Sequence, residues 1–132
     1  MATRNLYATF YRPRYGNYQH WALYLEHDSN PLVFEVTGSH GTFARSITQK
    51  KPEISSNYLG CIFIDIVNEG DIPELLSIVE NATVDNETVE WDCQDYGIEI
   101  VEALGEACVV DEEAGSYEAA LAELKERRGA NP

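Results

Sequence analysis

The hydrophobic repeat of this chain changes at Gly70. Before it, apolar residues alternate or run in short blocks; after it, they recur every three or four positions. The first pattern belongs to strands and the second to amphipathic helices, because side chains alternate across a strand but return to one face of a helix every 3.6 residues. Strands gathered at the front and helices at the back imply an α+β fold, an antiparallel β-sheet packed with helices. The 132 residues provide enough surface for one core and too little for two ordinary domains, so residues 1–128 are expected to form a single domain with 129–132 as a tail.

Residues 6–11 are rich in aromatic side chains and are closed by Pro13, which predicts a first strand and then a polar loop over 14–19. Residues 20–25 and 32–36 predict two more strands, joined by the turn-forming run His27-Asp28-Ser29-Asn30-Pro31. A turn at 38–41, a short strand over 42–48 and a polar loop over 50–57 follow. Residues 58–67 are nearly continuous in apolar side chains, the pattern of a strand buried on both faces, and predict the centre of the sheet.

The hairpin invites a register. Placing Tyr24 opposite Pro31 sets Ala22 opposite Val33 and His20 opposite Glu35, and it sends Trp21, Leu23, Leu25, Leu32, Phe34 and Val36 together to the other face. His20 and Glu35 then become neighbours, so a carboxylate can hold one imidazole nitrogen while the other points outward. That is the base and orienter of a nucleophilic triad, or else a plain ion pair across a hairpin.

Past Gly70, Asp71 and Pro73 mark a helix start whose apolar side is Ile72, Leu75, Leu76 and Val79. Residues 81–87 interrupt it. Asp92 is then an N-cap, Asp95 closes an acidic variant of the capping box, and Trp91 and Tyr96 hold the two positions of a hydrophobic staple. This frame puts Cys93 in the first turn, where free N–H groups and the helix dipole favour a thiolate. The alternative is a small apolar residue at the top of the stripe Cys93, Tyr96, Ile100, Leu104. A last helix begins near Ser116 and Tyr117, faces the body with Tyr117, Ala120, Leu121 and Leu124, and carries Glu123 and Arg127 as an exposed pair.

Charge narrows the partners. Nine Lys and Arg against 23 Asp and Glu give a net charge of −14, a field that repels phosphate backbones, so nucleic acid is not an expected partner. Arg4, Arg12 and Arg14, and the pair Lys50 and Lys51, read as solvated charges. No apolar run reaches the length of a membrane span. Three cysteines without a signal-like segment suggest a reducing compartment, the cytoplasm, and no disulfide framework. Cys61 and Cys108 read as structural, and His27 and His40 as turn residues without a chemical role. No cysteines or histidines stand at metal-ligand spacing, and His20, Cys93 and Glu35 would be an unusual zinc set, so no metal or cofactor is expected.

Two segments carry a resemblance. Tyr18-Gln19-His20-Trp21-Ala22-Leu23-Tyr24-Leu25 resembles the histidine strand, and Asp92-Cys93-Gln94-Asp95-Tyr96 the cysteine helix start, of the circularly permuted NlpC/P60 (papain-like) superfamily, nearest its lecithin:retinol acyltransferase and phospholipase/acyltransferase branch. The histidine strand precedes the cysteine helix there, as it does here. The helix start is also similar to that of a small fungal family. The resemblance implies a permuted papain-like architecture with Cys93 as nucleophile, His20 as general base and Glu35 as orienter, where relatives often carry a second His. Tyr18, Tyr24 and Gln94 of the same segments would contact a small-molecule or peptide acyl substrate. The apolar C-terminal anchor of the acyltransferase branch is missing, so the expected substrate is a soluble amide, ester or thioester rather than a membrane lipid. A non-catalytic binding protein of this fold and an isopeptidase for ubiquitin-like tails are the alternatives, and oligomeric state is left open.

Overall fold

The computed structural model describes residues 2–13, 18–39, 41–88 and 90–128. The expected turn at His40 and tail at 129–132 lie outside these. Five strands, β1 (Thr3–Tyr11), β2 (His20–Leu25), β3 (Leu32–Thr37), β4 (Ala44–Thr48) and β5 (Tyr58–Asn68), form an antiparallel sheet in the order β4-β3-β2-β1-β5. Three helices follow: α1 (Ile72–Asn81), α2 (Cys93–Glu106) and α3 (Gly115–Arg127). The α+β class and the antiparallel sheet are as the hydrophobic period implied.

The helices cover one face of the sheet. Leu6, Ala8, Phe10, Trp21, Leu23, Leu25, Phe34 and Val36 point from the strands into a single cluster with Leu75, Val79, Ile100, Val101, Leu104 and Leu124. Burying such side chains contributes roughly 1.5–3 kcal/mol each and is the main force joining sheet to helices. The other face carries a smaller cluster of Tyr11, Ala22, Tyr24 and Val33, flanked by Tyr7 and Tyr58.

Residues 58–67 form a strand, but at the edge of the sheet, paired with β1 alone. Its side chains largely alternate between shielded and exposed, with Leu59, Phe63 and Ile66 turned outward. Two register shifts against β1, between Leu6 and Tyr7 and between Phe10 and Tyr11, break the simple period. At the first, Ile64 is left without an opposite partner, and Ile64 and Asp65 are buried in succession. A continuous apolar run here records a bulged edge strand, not a doubly covered one. Cys61 is exposed on it. Cys108 is also exposed, at the end of α2 with a left-handed φ of 59°, and neither thiol belongs to the core.

The hairpin register differs from the sequence expectation by two residues. Tyr24 pairs with Val33 and Leu25 with Leu32, so the loop runs over 26–31. His27 widens it, its Nδ1 accepting the N–H groups of Ser29 and Asn30 at 3.2 and 3.0 Å. A shift of two preserves the face of every side chain. The six apolar residues still share the helix side, and His20 and Glu35 still share the other, now as diagonal neighbours.

At α1, Asp71 makes no side-chain cap and lies in a short 3-10 turn over Glu69–Asp71 that leads into the helix. The polar loop at 50–57 contains a 3-10 turn, Pro52–Ile54.

Candidate functional site

The start of α2 is built as the sequence indicated. Asp92 Oδ1 accepts the Gln94 N–H at 2.8 Å, and Asp95 Oδ2 accepts the Asp92 N–H at 3.0 Å, which completes the capping box. Trp91 and Tyr96 pack edge to face with ring centroids 6.2 Å apart. Arg128, just past α3, donates from Nε and Nη2 to the two carboxylate oxygens of Asp95, at 2.5 and 2.6 Å, and from Nη2 to the Glu90 carbonyl. The C-terminal helix therefore fixes the entry of α2, a long-range clamp that no local sequence signal announces.

Cys93 reaches the sheet at β2. The ladder between β2 and β3 runs from Leu25↔Leu32 to Leu23↔Phe34. Beyond it, the β2 backbone turns to α2. The Cys93 thiol donates to the Gln19 carbonyl at 3.8 Å, the Gln94 Nε2 donates to the same oxygen at 3.0 Å, and the Trp21 N–H is directed at the sulfur. The thiol thus rests on the peptide groups that flank His20.

His20 itself turns to the helix-free face, since it alternates with Trp21, which joins Cys93 in the helix-side core. There its Nε2 lies 2.7 Å from Glu35 Oε1, and both residues are buried. Its ring packs against Tyr11, its partner on β1, with centroids 5.6 Å apart. Among the described residues, Nδ1 makes no hydrogen bond, and none joins His20 to Cys93.

Burial pushes the Cys93 thiol up to about 12, the charges of Asp92 and Glu35 push the same way, and the N–H groups of Trp21 and Cys93 oppose them. Sequence position alone favoured a thiolate. Burial outweighs the helix start, because an ion removed from water costs more than a turn of N–H groups returns. The resting group is a neutral thiol, 2% exposed.

Of the candidate substrate contacts, Tyr18 lies by the thiol: burial raises its phenol to about 12, with Cys93 and Asp92 adding to the shift. Gln94 is fully buried, and its amide donates to the Gln19 carbonyl. Tyr24 stacks on Tyr7 at 6.0 Å, four residues along β2 from His20 and so about 13 Å away. The sequence reading passed over Gln19 and Tyr11. Tyr11 could be found only through the β1–β2 register, which the intervening loop hides.

No group of His, Cys, Asp and Glu among the described residues could hold a metal ion, and no helix among them is long and apolar enough to cross a membrane. No protein-family model matches the chain, and neither a curated protein nor a solved structure matches it.

Proposed function

We propose that the chain is a cysteine-dependent hydrolase or acyltransferase acting on a soluble amide, ester or thioester, on a circularly permuted papain-like fold. The observation that carries this reading is the buried 2.7 Å contact between His20 and Glu35 at the strand segment on which the Cys93 thiol rests. Glu35 holds Nε2 and so leaves Nδ1 to act as the base. With a substrate bound, the Cys93 sulfur leaves the Gln19 carbonyl and the His20 ring swings from the helix-free face toward the start of β2, so that the thiol proton passes to Nδ1 as the sulfur attacks the acyl carbon. The tetrahedral intermediate collapses as the C–O, C–N or C–S bond breaks, and the leaving group takes the proton from His20. Water or an amine then attacks the thioester, again losing a proton to His20, and frees the thiol. The Gln94 N–H already serves Asp92, so the Cys93 N–H is the donor left at the helix start for the oxyanion.

A neutral thiol at pH 7 makes proton transfer part of the attack rather than a step before it. It also supports a second reading, a non-catalytic binding protein with a buried structural cysteine, because 2% exposure is core-like. Single-turnover assays with 4-nitrophenyl esters and mass mapping of the acylated residue separate the two. Acyl transfer to Cys93 that is lost in His20→Ala supports catalysis, and absence of any Cys93 adduct leaves the binding protein.

A further inference from the structure

The helix-free face of the sheet holds a cavity of about 420 Å³, within the range of roughly 300–1,000 Å³ in which small organic molecules are bound. Its floor follows from strand pairing. Val33, Glu35 and Thr37 alternate to this face of β3, and Ser46 and Thr48 stand opposite Glu35 and Val33 on β4. Past Thr48 the chain leaves the sheet at the Val33 end of this floor, runs through Lys50 and Lys51, and turns at Pro52–Ile54. Tyr11, Val33, Pro52 and Ile54 give the cavity its apolar surface.

Charge decides what such a cavity accepts. In a chain of net charge −14, the other described Lys and Arg side chains are engaged: Arg4 with Glu69, Arg12 with the Ser56 carbonyl, Arg45 with Tyr96, Lys125 with Glu102, Arg127 with Glu123 and Arg128 with Asp95. Lys50 and Lys51 have no such partner among the described residues, and both line this cavity. Glu53, the acid of the same turn, is exposed and outside the lining. The acid that does line the cavity, Glu35, is held by His20 at 2.7 Å.

We propose that this cavity is a binding site for a small amphiphilic carboxylate, whose apolar body lies along Val33, Pro52, Ile54 and Tyr11 and whose carboxylate meets Lys50 and Lys51. It is bound as a ligand in its own right and not as a substrate of Cys93, whose thiol lies in the core on the helix side of the sheet. The two ammonium groups attract an anion that the acidic surface around them repels. The apolar wall favours an organic acid over a bare anion, because only the former removes apolar surface from water on binding.

The test titrates 4-phenylbutyrate and its uncharged amide, 4-phenylbutanamide, into 15N-labelled protein at low salt and follows the backbone amides. The acid should shift residues 33–37 and 46–55 and bind about ten-fold more tightly than the amide, the scale of two partly exposed ion pairs. That difference should disappear in the Lys50→Gln/Lys51→Gln protein and shrink as salt is raised. Acetate and inorganic phosphate, which lack the apolar body, should bind more weakly than 4-phenylbutyrate. Equal affinity for acid and amide, a preference that survives the double substitution, acetate or phosphate bound as tightly as 4-phenylbutyrate, or shifts centred on residues 93–106 overturn the proposal. The measurement requires no turnover, so failure of the catalytic reading leaves this site standing, and failure of this site leaves the roles of Cys93 and His20 untouched.

Discussion

His20 Nε2 and Glu35 Oε1 lie 2.7 Å apart on the face of the sheet that no helix covers, yet both residues are buried. Tyr11 packs on the His20 ring there, with centroids 5.6 Å apart, beside the small cluster of Ala22, Tyr24 and Val33. A pair held in this way is costly to break from one side, because the remaining partner keeps its desolvation without its contact.

Glu35→Ala should therefore lower stability by about 3 kcal/mol or more, whereas Glu35→Gln keeps a hydrogen bond and costs less. If the pair orients a catalytic base, Glu35→Gln should also reduce kcat by roughly 10- to 1000-fold. Urea denaturation and ester kinetics on both proteins read the two effects separately. Unchanged turnover in Glu35→Gln would leave Glu35 a structural residue.

Alkylation at neutral pH should follow exposure rather than helix position. Iodoacetamide is expected to modify Cys61 and Cys108 well before Cys93, since both are exposed and the Cys93 thiol is buried and raised to about 12. Time-resolved peptide mapping checks the order. Fast labelling of Cys93 in the resting protein would contradict its neutral, buried state.

Alkaline stability carries the same signature. The folded-state pKa of Cys93, about 12, lies above its ordinary value of 9.0, so folding favours the protonated thiol. Its contribution is fully present below pH 9 and is lost as pH rises toward 12. Tyr18 and Tyr24, each raised from 10.0 to about 12 by burial, act with the same sign. Thermal melts from pH 8 to 11 should show a falling Tm, and the slope should be shallower in Cys93→Ala. An equal slope would show that the thiol does not titrate with unfolding.

Asp92→Ala removes the cap from Gln94 and should cost about 1 kcal/mol. Asp95→Ala removes the reciprocal bond to the Asp92 N–H and also releases Arg128. It should cost more than the cap alone, and less of that excess should remain at high salt, where the partly exposed Arg128 pair is screened. Urea unfolding at low and high ionic strength measures both.

The sequence alone determined what depends on near neighbours. The change of period at Gly70 separated sheet from helices, and the capping box and staple from Trp91 to Tyr96 were legible because each contact spans five residues or fewer. The shared face of His20 and Glu35 was also legible, because alternation depends only on parity and survives a two-residue error in register. Tertiary structure decided the rest. It made β5 an edge, since an apolar run does not reveal whether one neighbour or two will pair with it, and bulges at Ile64 and Leu59 reset its faces. It brought Arg128 to Asp95 and Tyr11 to His20 across separations that no local pattern spans. It also set the state of Cys93. A helix start favours the thiolate, but burial against β2 dominates, and burial is a property of the packed molecule rather than of the chain.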